Sequence, residues 1–167
     1  MTRIVKIMLM FSVGLWGVFG ALSNILDFSG GLEQVKFVLS MAGAKDAAGV
    51  GWKAVHSDLL ANLAFAVVYL SKLLTGLLCF YCALRLLAAR KADAATFEAA
   101  KQPGILGCGI SIVMLFLGFV VLAGVYFEYW RVPTYGMITH HYAFIYTMCL
   151  MSFMLFLQRP DGLPERR

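Results

Sequence analysis

Charge is what this chain has least of. Only 14% of its 167 residues are charged, where a soluble domain of ordinary composition carries about 25%. Acidic residues are scarcer still, nine against 14 Lys and Arg, and there are three histidines and four prolines. So few polar side chains cannot coat a globule of this size, which excludes an ordinary water-soluble fold. Paired carboxylates, a Gly-rich phosphate loop and a Ser-His-Asp arrangement are all missing, so no catalytic constellation is recognisable and the chain does not read as an enzyme. Cysteine is absent from every polar stretch. Cys79, Cys82, Cys108 and Cys149 all fall inside apolar runs, which argues against a disulfide framework and for reduced thiols facing lipid or other helices.

What the chain has instead is apolar length: 61% of it is hydrophobic. Crossing a hydrocarbon core about 30 Å thick takes about 20 mostly apolar residues at 1.5 Å each. Four stretches meet that requirement, about Ile4 to Leu26, Leu59 to Leu84, Ile105 to Tyr129 and His140 to Leu157. Backbone polar groups find no water in lipid, so each stretch is predicted to be helical; a barrel strand would alternate with period two, and no such alternation is present. The fold class predicted is therefore an all-α membrane protein, a four-transmembrane-helix bundle forming a single membrane domain over residues 1–167. The start, Met1-Thr2-Arg3-Ile4-Val5-Lys6 before an apolar run, has the outline of a signal peptide, but the run is too long and no clear cleavage site follows, so a retained helix is expected.

Lys and Arg counts give the orientation. Arg3, Lys6, Arg85, Arg90, Lys91, Lys101, Arg159, Arg166 and Arg167 fall on one side, and Lys36, Lys45, Lys53 and Arg131 on the other. That bias predicts both termini in the cytoplasm of a multi-pass membrane protein. Trp52, Tyr126, Tyr129, Trp130, Tyr135 and Tyr142 gather at the outer interface, where amphipathic rings are favoured, while Trp16 lies mid-span. The net charge of +5 is then met by anionic lipid headgroups rather than by nucleic acid.

Between the spans, Leu32, Val35, Val38, Leu39 and Met41 fall near helical spacing, predicting a short amphipathic helix in the first periplasmic loop. The small residues of 42–51 read as a flexible connector. The Ala-rich stretch from Ala88 to Ala100 reads as an extension of the second helix or a short surface helix before Pro103, and the tail from Gln158 as disordered.

Among single residues Lys72 carries the most information. It lies near the middle of the second span, where a charged amine costs about 2.5–3.5 kcal/mol on insertion scales, so it must face the bundle, find a partner, lose its proton or snorkel. Its functional readings are a proton or anion site or a contact to an acidic residue of a partner; its structural reading is an amine held against Ser71, Thr75 or backbone carbonyls. A second set, Asp27, His56, Asp58, Glu128, His140 and His141, lies at the outer boundary, where imidazole and carboxylate can cap helices, pair with Arg131, hold a quinone headgroup or bind zinc or copper. No His-x-x-x-His or Glu-x-x-His spacing supports a metal, and His140 and His141, being adjacent, point in different directions. Haem would need His56 with His140 or His141, all at the bundle's edge. No cofactor is predicted; haem and copper are the alternatives. Cys79-Phe80-Tyr81-Cys82 has redox spacing but stands in an apolar helix rather than a βαβ unit. Gly14, Gly17 and Gly20 in the first span and Gly104, Gly107, Gly109, Gly118 and Gly124 in the third mark candidate close helix contacts.

The loop Gly31-Leu32-Glu33-Gln34-Val35-Lys36-Phe37-Val38-Leu39-Ser40-Met41, then Trp52-Lys53-Ala54-Val55, Lys72-Leu73-Leu74-Thr75-Gly76-Leu77-Leu78-Cys79 and Glu128-Tyr129-Trp130, resembles a bacterial family of predicted small integral membrane proteins of unknown function. The likeness runs over nearly the whole chain, and Val38-Leu39-Ser40-Met41 followed by Trp52 is its most specific part. The resemblance implies a four-helix inner-membrane protein with an acidic residue more usual where this chain has Lys72, and it supplies no activity. The leading expectation is a non-enzymatic accessory or assembly subunit of a larger membrane complex, contacting a partner subunit, or a second copy, through its Gly-rich faces and Lys72. The alternatives are a small transporter or channel using Lys72, and a metal- or redox-cofactor protein using the outer histidines.

Overall fold

The computed structural model describes residues 2–44, 49–133 and 135–161. Lys45, Arg166, Arg167 and the tail beyond Asp161 lie outside the described residues. The chain is all-helical among the described residues. Helix α1 spans Thr2–Leu26, α2 Phe28–Leu39, α3 Asp58–Ala88, α4 Ala94–Ala99, α5 Gln102–Val113 and α6 Tyr135–Gln158. Four helical rods, Thr2–Leu26, Asp58–Ala88, Ala94–Tyr126 and Tyr135–Gln158, are long and apolar enough to cross a membrane. The third is longer than expected from sequence because α4 and α5 run together, and it stops at Tyr126 rather than Tyr129; the fourth starts at Tyr135 rather than His140.

Local chemistry places the breaks. Asp27 ends α1 and caps α2, its carboxylate accepting from the Gly30 amide at 3.3 Å, so the loop helix follows directly on the first span. Ser57 caps α3 through the Leu60 amide at 3.3 Å. Asp93 caps α4 through the Thr96 amide at 2.9 Å, and its carboxyl lies below its ordinary value, held there by the Thr96 backbone amide and then its hydroxyl. Pro103 stands in the first turn of α5, where its missing donor costs nothing. Past Val113 the rod widens: Met114–Tyr126 is a π-helix, closed by the Phe127 amide on the Leu122 carbonyl at 2.9 Å. Such turns usually occur singly, so 13 residues of them are unusual.

Glycine sets how close the rods come. A Cβ on Gly17 would stand 2.6 Å from both the Gly76 amide nitrogen and the Lys72 carbonyl oxygen, so α1 and α3 meet backbone to backbone. Gly14 takes the Phe80 ring in the same way, and Gly104 and Gly107 receive the Cys82 and Cys79 sulfurs where α5 crosses α3. At that crossing the Thr75 hydroxyl donates to the Gly107 carbonyl at 2.9 Å and shares a hydrogen bond with Ser111 at 2.8 Å. Met10, Val13, Cys79, Cys82, Leu86, Cys108, Leu150 and Leu157 fill the centre. The outward faces are apolar as well: Phe19, Leu59, Leu84, Leu106, Val125 and Leu155 are each more than half exposed, and only lipid makes that stable. Cys149 is exposed in the same way, and all four thiols are free.

Two sequence expectations need correction. The tail is pinned at its start rather than loose, since Asp161 is only 2% exposed at the side chain and bonded to two other segments. The connector is also anchored in part: within it Ala44 is buried, Met41 just before it is buried, and across it the Val55 amide donates to the Leu39 carbonyl at 2.8 Å. Residues 45–48 of that connector lie outside the described residues.

Candidate functional site

Three polar sites interrupt the apolar bundle. The first closes the end where α1 begins and α6 runs out to Asp161. Lys6 of α1 and Lys101 at the head of α5 each reach the same Asp161 carboxylate oxygen at 2.6 Å, with side chains 0% and 1% exposed. Lys101 also donates to Glu98 at 2.7 Å, and the Asp161 amide donates to that same glutamate oxygen at 3.0 Å. Both lysines further bond the Arg159 carbonyl, where α6 has run out of amide partners. Burial by itself would raise the Asp161 carboxyl, but the hydrogen bonds from Lys101 and Lys6 outweigh it and hold the group below its ordinary range. Beside this cluster Arg3 lies over the Phe97 ring and donates to the Ala92 carbonyl at 2.7 Å, tying α1 to the turn before α4. From sequence, Lys6 and Lys101 enter as part of a basic start and an Ala-rich stretch and in the orientation count, and neither as a site. The available signal was positional: both amines and Asp161 flank spans at the same membrane end, and an even number of spans brings them together.

The second site lies within the bundle, on the seam between α1 and α3. The Lys72 stem runs along Gly20, where a Cβ would meet its Cδ at 3.2 Å and its Nζ at 3.9 Å. Lys72 makes no ion pair or hydrogen bond among the described residues. Asn24, one turn beyond Gly20 on the same face, buries its Nδ2 donor without an acceptor. Two donors without acceptors among the described residues thus lie about one helical turn apart along the face of α1 that meets Lys72.

The third site lies at the opposite end, and here the outer-boundary residues divide into separate small contacts. Glu128 accepts from Lys53 at 2.8 Å and from Arg131, and those two hydrogen bonds, Lys53 first, hold its carboxyl below the usual value. Its backbone is left-handed at φ 52°, a conformation non-glycine residues seldom adopt. Asp58 pairs with Lys36 at 2.6 Å on the surface, and Asp27 is occupied as a cap. His56 lines a surface pocket with Asp58 and Lys36. His141 shares a hydrogen bond with the Met137 carbonyl at 3.0 Å, while His140 turns inward against Gly124 with Nδ1 buried and unbonded. Among the described residues no group of three or more His, Cys, Asp or Glu side chains is arranged to hold a metal ion. Tyr129, buried between these contacts, shares a short hydrogen bond with Gln34 of α2, and desolvation raises its phenol.

Of the glycines singled out from sequence, Gly14, Gly17, Gly20, Gly104, Gly107 and Gly124 face neighbouring helices, whereas a Cβ at Gly109 or Gly118 would meet nothing within 4 Å among the described residues. Comparison with known protein families matches the chain to one described as predicted small integral membrane protein (DUF2165), over residues 2–160. No curated protein and no solved structure matches the chain.

Proposed function

The chain belongs to the family of predicted small integral membrane proteins, and on that premise we propose that it is a non-catalytic accessory subunit that holds a partner protein within the bilayer through Lys72 and Asn24. The observation that carries this reading is the pair of unanswered donors on the α1–α3 seam. Lys72 stands about 21 Å from one end of α3 and about 24 Å from the other at 1.5 Å per residue, well inside a hydrocarbon core about 30 Å thick. Headgroup phosphates do not reach that depth, and a bare anion would have to shed its water to enter. A carboxylate or backbone carbonyl carried on another membrane helix arrives already desolvated by its own chain. The large groove of the bundle passes Ser71 rather than Lys72 and is lined by apolar side chains, which favours a contact over a conduction path.

Lys72→Met is expected to lower recovery of the partner in mild-detergent purification from native membranes by about tenfold or more, the loss of a hydrogen bond to a charged group. Thermal stability of the isolated chain should hold or rise, because Lys72 has no hydrogen-bond or ion-pair partner among the described residues to lose. Unchanged partner recovery, or a Lys72-dependent proton or anion flux in proteoliposomes, would overturn the proposal.

The proposed setting is the bacterial inner membrane with both termini cytoplasmic, supported by nine Lys and Arg on the termini side against four on the other. In intact cells a membrane-impermeant maleimide added from outside should label Trp52→Cys and leave Lys91→Cys unlabelled. The reverse pattern would invert the topology.

A further inference from the structure

A groove of about 990 Å³ runs along the bundle between α3 and the rod formed by α5 and its π-helical continuation, at the top of the about 300–1,000 Å³ range of small-molecule sites. Its lining is almost wholly apolar, with Val67, Val68, Ile110 and Leu117 among the walls. Gly109 and Gly118 keep it deep: among the described residues nothing lies within 4 Å of a Cβ built on either. Towards the loop end the character changes. Gln34 and Tyr129 reach the lining there, joined to each other by a hydrogen bond. Phe127 and Tyr129, which both line the groove, flank Glu128, and Glu128 gathers Lys53 and Arg131 beside the mouth. Two cations share one carboxylate, so the mouth carries an excess positive charge, and Arg131 is 40% exposed at the side chain.

We infer that this groove binds an anionic phospholipid, its acyl chains lying along Gly109 and Gly118 and its phosphate meeting Arg131 and Lys53 at the loop end. Apolar walls match the tails, and the uncompensated cation sits where tails give way to headgroup. The shape separates this occupant from a partner helix. Helix α2, which is not one of the four spans, supplies Val35, Val38 and Leu39 to the wall at the loop end. A spanning helix has to continue past that depth, where α2 stands, whereas a lipid ends there. The site is distinct from the Lys72 seam, which faces α1, so its failure leaves the partner proposal untouched.

The test uses the full chain in nanodiscs of equimolar phosphatidylglycerol and phosphatidylcholine, ejected for native mass spectrometry to count and classify lipids that stay bound. Wild type should retain phospholipid, with phosphatidylglycerol enriched roughly fivefold, the preference one uncompensated basic residue confers near an anionic headgroup. Arg131→Gln should abolish the enrichment while tails remain bound. Gly109→Leu, placed where there is room for its side chain, should remove retained lipid without changing thermal stability in detergent. Equal retention of the two lipid classes by wild type, retention unchanged in Gly109→Leu, or a polypeptide in place of lipid in the groove would each overturn the inference.

Discussion

Asp161→Ala lowers the unfolding free energy of the protein in detergent by about 3–5 kcal/mol, the cost of leaving buried charge without its counterion. The expectation rests on geometry rather than on the number of contacts. Lys6 and Lys101 are 0% and 1% exposed, and both place their ammonium groups on one oxygen of Asp161. With the carboxylate gone, Lys101 keeps Glu98, and Lys6 keeps, among the described residues, the Arg159 carbonyl and the face of the Phe156 ring. Exposed ion pairs such as Lys36 with Asp58 are worth a small fraction of this, and Asp58→Ala should be nearly silent by comparison. A double variant, Lys6→Met with Asp161→Leu, removes both charges and refills the space, so it should recover most of the loss. Thermal denaturation monitored by helicity reads all four proteins. If Asp161→Ala melted with wild type, the C-terminal segment would not be the clasp that the distances describe.

The same cluster fixes the sign of the acid response. An unfolded aspartate titrates near about 3.9, and in the folded protein the two lysines hold Asp161 below that value. A carboxyl depressed on folding contributes stability that is complete above its unfolded value and disappears as pH falls through its folded one. Glu128, held down by Lys53 and Arg131, acts in the same direction at the opposite end. Stability is therefore flat in these groups from about pH 5 upward and falls below about pH 4, and Asp161→Ala should flatten the acid limb.

Why the clasp was hidden in the sequence while the bundle was not follows from the range of the signals. Apolar length is local: any 20-residue window around Leu15, Leu73 or Leu115 declares a span. The Lys6 to Asp161 contact joins positions 155 apart, and nothing near either one distinguishes a buried partner from a solvated end. Lys72 was legible because its rarity is a local fact, a charge in an apolar helix. Asn24 was not, since an amide near a span's end is unremarkable until its donor is seen to have no acceptor. The outer carboxylates and histidines shared a depth in the sequence, but depth does not fix direction. Each helix turns its own residue to a different neighbour, which is how Glu128 meets Lys53 while His141 meets only its own turn.

Glycine shows the same limit, and it yields the sharpest contrast in expected effect. Sequence marks Gly17 and Gly118 alike, as small residues in apolar spans. In the structure they have opposite surroundings: a Cβ on Gly17 would stand 2.6 Å from backbone atoms of Gly76 and Lys72, whereas one on Gly118 meets nothing within 4 Å among the described residues. Backbone cannot rotate aside as a side chain can, so Gly17→Leu must push α1 off α3 along their shared length. Overpacking a well-filled core costs about 1–3 kcal/mol where side chains yield, and more where they cannot, so a loss of at least about 3 kcal/mol is expected here. Gly76→Leu meets the Val18 amide nitrogen at 2.7 Å and should behave alike. Gly20→Ala meets only the Lys72 stem, at 3.2 Å, and should cost little because that stem can shift. Separating α1 from α3 also moves Gly20 and Asn24 away from Lys72, so partner recovery should fall in Gly17→Leu along with stability. In Lys72→Met it should fall alone. Equal stability of Gly17→Leu and Gly118→Leu would mean that the two helices do not meet through their backbones, and the seam on which Lys72 and Asn24 converge would have to be redrawn.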